Sequence, residues 1–149
     1  MNAPARREII GTAVSMLDYA ALLDLIDDVV EADTPLTVCF APASSLVMAR
    51  RDPRLAEALA AADVVAPDGM GVVKAARLLG ESIDQRVYGP DLMLMQCERA
   101  AAAGQKIWLQ GGGDENALNE LKAELERRFP GLPVAGGESP PHRPPSEAE

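Results

Sequence analysis

The stretch ADVVAPDGMGVVKAARLLG, Ala62–Gly80, decides how the chain is read. Val64-Val65-Ala66 is a short apolar run that leads into Pro67-Asp68-Gly69. A helical pattern starts at once, with Met70, Val73, Lys74, Arg77 and Leu78, and Gly80 closes it. The order is strand, tight turn, helix. The turn sets a carboxylate between a residue of fixed φ and one that tolerates positive φ. In open α/β sheets such turns lie at the carboxyl ends of strands, where ligands bind.

The same alternation extends both ways. Upstream, Glu8–Val14 reads as a strand interrupted by Gly11, Tyr19–Glu31 as a helix, and Leu36–Phe40 as a buried strand. Two short helices follow, Ser44–Arg51 and Arg54–Ala62, the second opened by Asp52-Pro53. Downstream come a helix Leu92–Ala103 begun by Gly89-Pro90-Asp91, a strand Lys106–Gln110, a helix Glu115–Phe129 and a strand Leu132–Ala135. Short apolar runs alternating with helices of this length indicate βαβ units. The expected fold is α/β: a Rossmann-like, mostly parallel sheet flanked by helices over residues 1–137. Residues 138–149, ESPPHRPPSEAE, are proline-rich and lack any large apolar side chain. They are expected to form a disordered tail.

Composition narrows the function. The chain has 149 residues and a net charge of −9, which speaks against a nucleic-acid partner, since that needs a basic face. Cys39 and Cys97 match no zinc spacing, and the one histidine, His142, sits in the tail. No metal site or histidine-based triad is therefore assigned. No run is long and apolar enough to span a bilayer, and the N-terminus lacks an apolar signal core. A cytoplasmic location is expected.

The residues of interest have two readings each. Asp68 is an N-cap for the following helix or a general base at a strand end. Gly69 and Gly71 let backbone approach a ligand, although Asp-Gly-Met-Gly is short of a dinucleotide fingerprint. Gly111-Gly112-Gly113 is a flexible turn or a set of amides cradling a diphosphate at a helix start. Arg86 is solvated or neutralises a diphosphate leaving group. Asp91 caps its helix or binds a sugar hydroxyl. Lys74 and Arg77 read as an exposed face. A small phosphorylated ligand on a plain Rossmann-like module is consistent with these features too.

Three ordered motifs make the sequence recognisable: Asp63–Val73, Arg86–Leu92 and Ile107–Gly112. They resemble a-D-x-v-x-P-D-G-x-G-v-v, R-v-x-G-x-D-l and v-f-l-l-G-G of the WecG/TagA/CpsF family of bacterial glycosyltransferases. The resemblance covers roughly Ile9 to Gly136. It implies an inverting, metal-independent transferase without a cofactor. Such an enzyme moves a hexose such as N-acetylmannosamine from a UDP-sugar donor to a polyprenyl-diphosphate-linked acceptor in cell-surface polysaccharide synthesis. It also implies peripheral contact with the inner face of the plasma membrane and a homo-oligomer. Asp68 matches the family's proposed base. Gly69, Gly71, Arg86, Gly89, Asp91, Gly111 and Gly112 fall on substrate-binding motif positions. Phe40-Ala41-Pro42 stands where the family usually has Thr-x-Asn. Family members continue into a G-x-P-x-Q-E segment and a basic end, so the chain is expected to stop inside a larger α/β fold. The alternative expectation is a truncated, non-catalytic module that binds nucleotide sugar or oligomerises.

Overall fold

A computed structural model describes residues 4–111 and 113–140. The described residues form an α/β structure with six strands and six helices. The chain divides into two compact units, Met1–Leu92 and Met93–Glu149.

In the first unit the strands are β1 (Arg6–Ile9), β2 (Thr12–Ser15), β3 (Val38–Ala41) and β4 (Val64–Pro67). The helices are α1 (Tyr19–Glu31), α2 (Ala43–Ala49), α3 (Pro53–Ala61) and α4 (Met70–Leu78), followed by the start of α5 (Gly89–Ala103). β3 and β4 pair in parallel, with Phe40 opposite Ala66 and Ala41 opposite Pro67. Every residue of β4 is buried. Val65 packs into one apolar cluster with Ile9, Leu46, Val72 and Val73. Its neighbours Val64 and Ala66 pack into another with Leu22, Val87 and Leu92. Burial on both faces is why the strand reads as a continuous apolar run rather than an alternating one.

The expected single strand Glu8–Val14 is instead a hairpin, β1 and β2, paired antiparallel with Ile9 opposite Thr12. Ile10 (φ 54°) and Gly11 (φ 82°) reverse the chain. Positive φ at both central residues is the pattern of a type I′ turn, whose twist suits a two-residue hairpin. Glycine accepts this freely, but isoleucine does not. The hairpin is tied to the parallel pair by buried Ser15, whose hydroxyl accepts the Val65 N–H at 3.1 Å. Asp63 fastens the other end of the pair, its carboxylate accepting the Thr37 N–H at 2.8 Å. Lys74 and Arg77 are exposed as expected, and the Arg77 guanidinium also holds the Ile83 carbonyl at 2.8 Å and the Asp84 carboxylate at 2.8 Å.

In the second unit β5 (Ile107–Gln110) and β6 (Val134–Glu138) pair in parallel, and α6 (Glu115–Arg128) connects them. Leu109, Leu118, Leu125 and Leu132 form its core with Cys97 and Ala100. β6 runs through Gly136, Gly137 and Glu138, further than the apolar run suggests. The Trp108 ring occupies the place a side chain at Gly136 would need. Glu138 therefore belongs to a strand and not to the tail. Ser139 and Pro140 follow without regular secondary structure, and the expected tail from residue 141 onward lies outside the described residues. No helix among the described residues is long and apolar enough to cross a membrane.

Candidate active site

The site is built where β3 and β4 end. Pro67 is the last residue of β4, and its carbonyl accepts the Val87 N–H at 3.0 Å. Val87 is fully buried. This one bond lays the Arg86–Asp91 segment beside the turn that carries Asp68. Arg86 and Asp68 each sit one residue beyond the bonded pair.

Asp68 is half-buried. The N-cap of α4 is Gly69, and no side chain caps that helix. The capping reading of Asp68 therefore fails. Its carboxylate has no hydrogen bond or ion pair to any of the described residues. A partly desolvated carboxylate without a partner can accept a proton from a hydroxyl brought within reach.

Gly69 has φ 96° and ψ 148°, a conformation open to glycine alone. Nothing lies within 4 Å of where its Cβ would be, so conformation and not space demands glycine there. Gly71 differs. It is helical, and a Cβ on it would meet the Ala43 Cβ at an ordinary 3.5 Å.

Arg86 is exposed, with its guanidinium 4.7 Å from the centre of the Tyr88 ring. Gly89 opens α5, and a Cβ on it would come within 3.4 Å of the Phe40 ring. The Phe40 ring therefore lies directly against the start of α5. Asp91 lies inside the first turn of α5 rather than at its cap. Its carboxylate accepts from the Tyr19 hydroxyl at 3.3 Å. The same hydroxyl accepts the Tyr88 N–H at 2.9 Å. Tyr19 and Phe40 were not among the expected site residues. Tyr19 is far away in sequence, and no local pattern marks it.

The glycine turn belongs to the second unit. Gly111 has φ 118°, and its N–H is already donated to the Glu138 carbonyl at 2.9 Å. That amide is not free to hold an anion. Gly112 lies outside the described residues. Asp114 caps α6, its carboxylate accepting the Ala117 N–H at 2.8 Å. Among the described residues no three His, Cys, Asp or Glu side chains come together as a metal-ligand set.

A sequence model of the "Glycosyl transferase WecG/TagA/CpsF family" matches residues 7–149. An N-acetylglucosaminyldiphosphoundecaprenol N-acetyl-beta-D-mannosaminyltransferase of Bacillus spizizenii is 31% identical over 88 residues. The match covers 59% of this chain and 34% of that protein, so the alignment spans about a third of the relative's length. With the family model covering nearly all of the sequence, the chain belongs to the WecG/TagA/CpsF family of glycosyl transferases.

Proposed function

We propose that the chain transfers a hexose, N-acetylmannosamine or a close relative, from a UDP donor to a sugar carried on a polyprenyl diphosphate. The observation that carries this reading is Asp68: a half-buried carboxylate without a partner among the described residues, at the carboxyl end of β4 and next to the Arg86 segment. In this mechanism Asp68 takes the proton of the acceptor hydroxyl. The oxygen attacks the anomeric carbon from the face opposite the diphosphate. The bond from that carbon to the diphosphate oxygen breaks, its electron pair leaves with UDP, and configuration inverts.

Arg86 faces the leaving group in this reading. A guanidinium offers several planar N–H donors to a phosphate, and charge-assisted bonds of this type strengthen as negative charge builds up. Gly69 and Gly71 bring backbone close to the substrate, and Gly89 and Asp91 meet a sugar. For Gly111 and Gly112 the reading rests on motif position alone. A lipid-linked acceptor is supported by the relative's name, which states one for that protein, and work at the inner membrane face belongs to the same proposal. Self-association belongs to the same proposal, and sedimentation would test it.

The test is UDP release from UDP-N-acetylmannosamine in the presence of a lipid-diphosphate-linked N-acetylglucosamine analogue. Acceptor-dependent release is expected. Bound UDP without turnover would replace the enzyme with a nucleotide-sugar-binding module. Binding of an unrelated phosphate compound but no uridine nucleotide would replace both.

A further inference from the structure

We propose that Tyr19 is a positioning residue for Arg86 and acts through Tyr88. The proposal deepens the reading above and rests on its assignment of Arg86 to the donor diphosphate. Tyr19 is the first residue of α1, and its ring packs against the cluster that contains Leu22, Val87 and Leu92. Its hydroxyl is used twice. It accepts the Tyr88 N–H at 2.9 Å and donates to Asp91 at 3.3 Å. Tyr88 directly precedes α5, so its N–H has no partner within that helix. The phenol supplies one.

The Arg86–Asp91 segment is thereby pinned on two sides. Val87 donates to Pro67 on β4, and Tyr88 donates to Tyr19 on α1. Between these anchors the Tyr88 ring carries the Arg86 guanidinium at 4.7 Å. A cation held over an aromatic ring spends none of its N–H donors on that contact, which leaves them for an anion. Arg86 has no carboxylate partner among the described residues, so the ring is what fixes it. Losing the phenol frees the Tyr88 backbone, and the ring and the cation move with it. Tyr19→Phe removes both hydrogen bonds and keeps the packed ring.

The experiment is a calorimetric titration of the full chain with UDP. It compares the unaltered protein, Tyr19→Phe, Arg86→Ala and the double variant. Tyr19→Phe should weaken UDP binding roughly tenfold, the size of one or two lost hydrogen bonds. In the Arg86→Ala background the same change should have no effect. Tyr88→Leu keeps both backbone anchors and removes only the exposed ring. It should show the same loss and the same lack of effect beside Arg86→Ala. Hydrogen exchange of the Tyr88 amide should speed up in Tyr19→Phe with or without UDP. Additive losses, or UDP binding by Tyr19→Phe equal to the unaltered chain while Arg86→Ala is impaired, would overturn the role of Tyr19 alone. Failure of the unaltered chain to bind UDP would overturn the parent reading and this one with it.

Discussion

The Val87 amide donates to the Pro67 carbonyl at 3.0 Å, and that bond brings together two motifs separated along the chain. Pro67 ends β4 and is followed by Asp68, while Val87 is preceded by Arg86. A candidate base and a candidate diphosphate ligand thus flank one hydrogen bond in a buried part of the fold.

Gly69 and Gly71 should respond differently to alanine. Gly69 sits at φ 96° and ψ 148°, so Gly69→Ala should cost about 1–3 kcal/mol of stability even though its Cβ meets nothing. Gly71 is helical with ordinary contact to Ala43, so Gly71→Ala should leave stability equal or raise it by up to ~1 kcal/mol. If Gly71 is there for close approach of the ligand, the same variant should bind UDP more weakly. Urea unfolding and UDP titration of both variants check this. Equal stability losses would mean that space, not backbone conformation, sets both positions.

Ile10 is a β-branched residue at φ 54° in the hairpin turn, followed by Gly11. Asparagine tolerates that conformation, and Asn-Gly is the preferred pair for this turn. Ile10→Asn should therefore raise stability by roughly 0.5–1 kcal/mol. Ile10 is 44% exposed, so only part of its apolar surface is buried to begin with. A lower urea midpoint in the variant would contradict the turn assignment.

The two thiols should behave differently. Cys97 is 2% exposed, and burial pushes its pKa up. Cys39 is half-buried. A disulfide reagent at mild pH should label Cys39 first and Cys97 only as the second unit opens, because the thiolate is the reacting form. The raised thiol also fixes the sign of a pH effect. The folded state holds the Cys97 proton more tightly than the unfolded state, whose thiol titrates near 8.5. Its contribution is complete below about that pH and is lost as pH rises through the folded value. Equally fast labelling of both thiols would contradict the packing around Cys97.

Much of the scaffold was legible because its signals are local. Leu22, Leu25, Ile26 and Val29 place α1 at Tyr19–Glu31, and the structure has the same bounds. Asp52-Pro53 marks the start of α3, and the Asp52 carboxylate accepts the Arg54 N–H at 3.0 Å. The turn after β4 is announced by Pro-Asp-Gly. What was hidden depends on tertiary contacts or on residues acting against preference. Ile10 disguises a hairpin because isoleucine seldom takes positive φ. Gly136 and Gly137 read as the end of a strand until the Trp108 ring beside Gly136 and the Leu109 carbonyl beside Gly137 show why small residues belong there. The Asp68 cap reading was plausible from spacing, yet Gly69 takes the cap position because the chain turns one residue later. Tyr19 could not be read at all, since its hydroxyl partners are Tyr88 and Asp91.

If Asp68 is a base and not a support of the fold, its substitution separates turnover from stability. The direct measurement is acceptor-dependent UDP release by Asp68→Asn beside the unaltered chain, with UDP affinity and urea stability taken on the same samples. Asp68 has no hydrogen bond or ion pair to any described residue, so stability and UDP affinity should hold. Turnover should fall by about 10²–10⁴-fold, the usual contribution of a positioned general base. Turnover by Asp68→Asn equal to that of the unaltered chain would contradict the account.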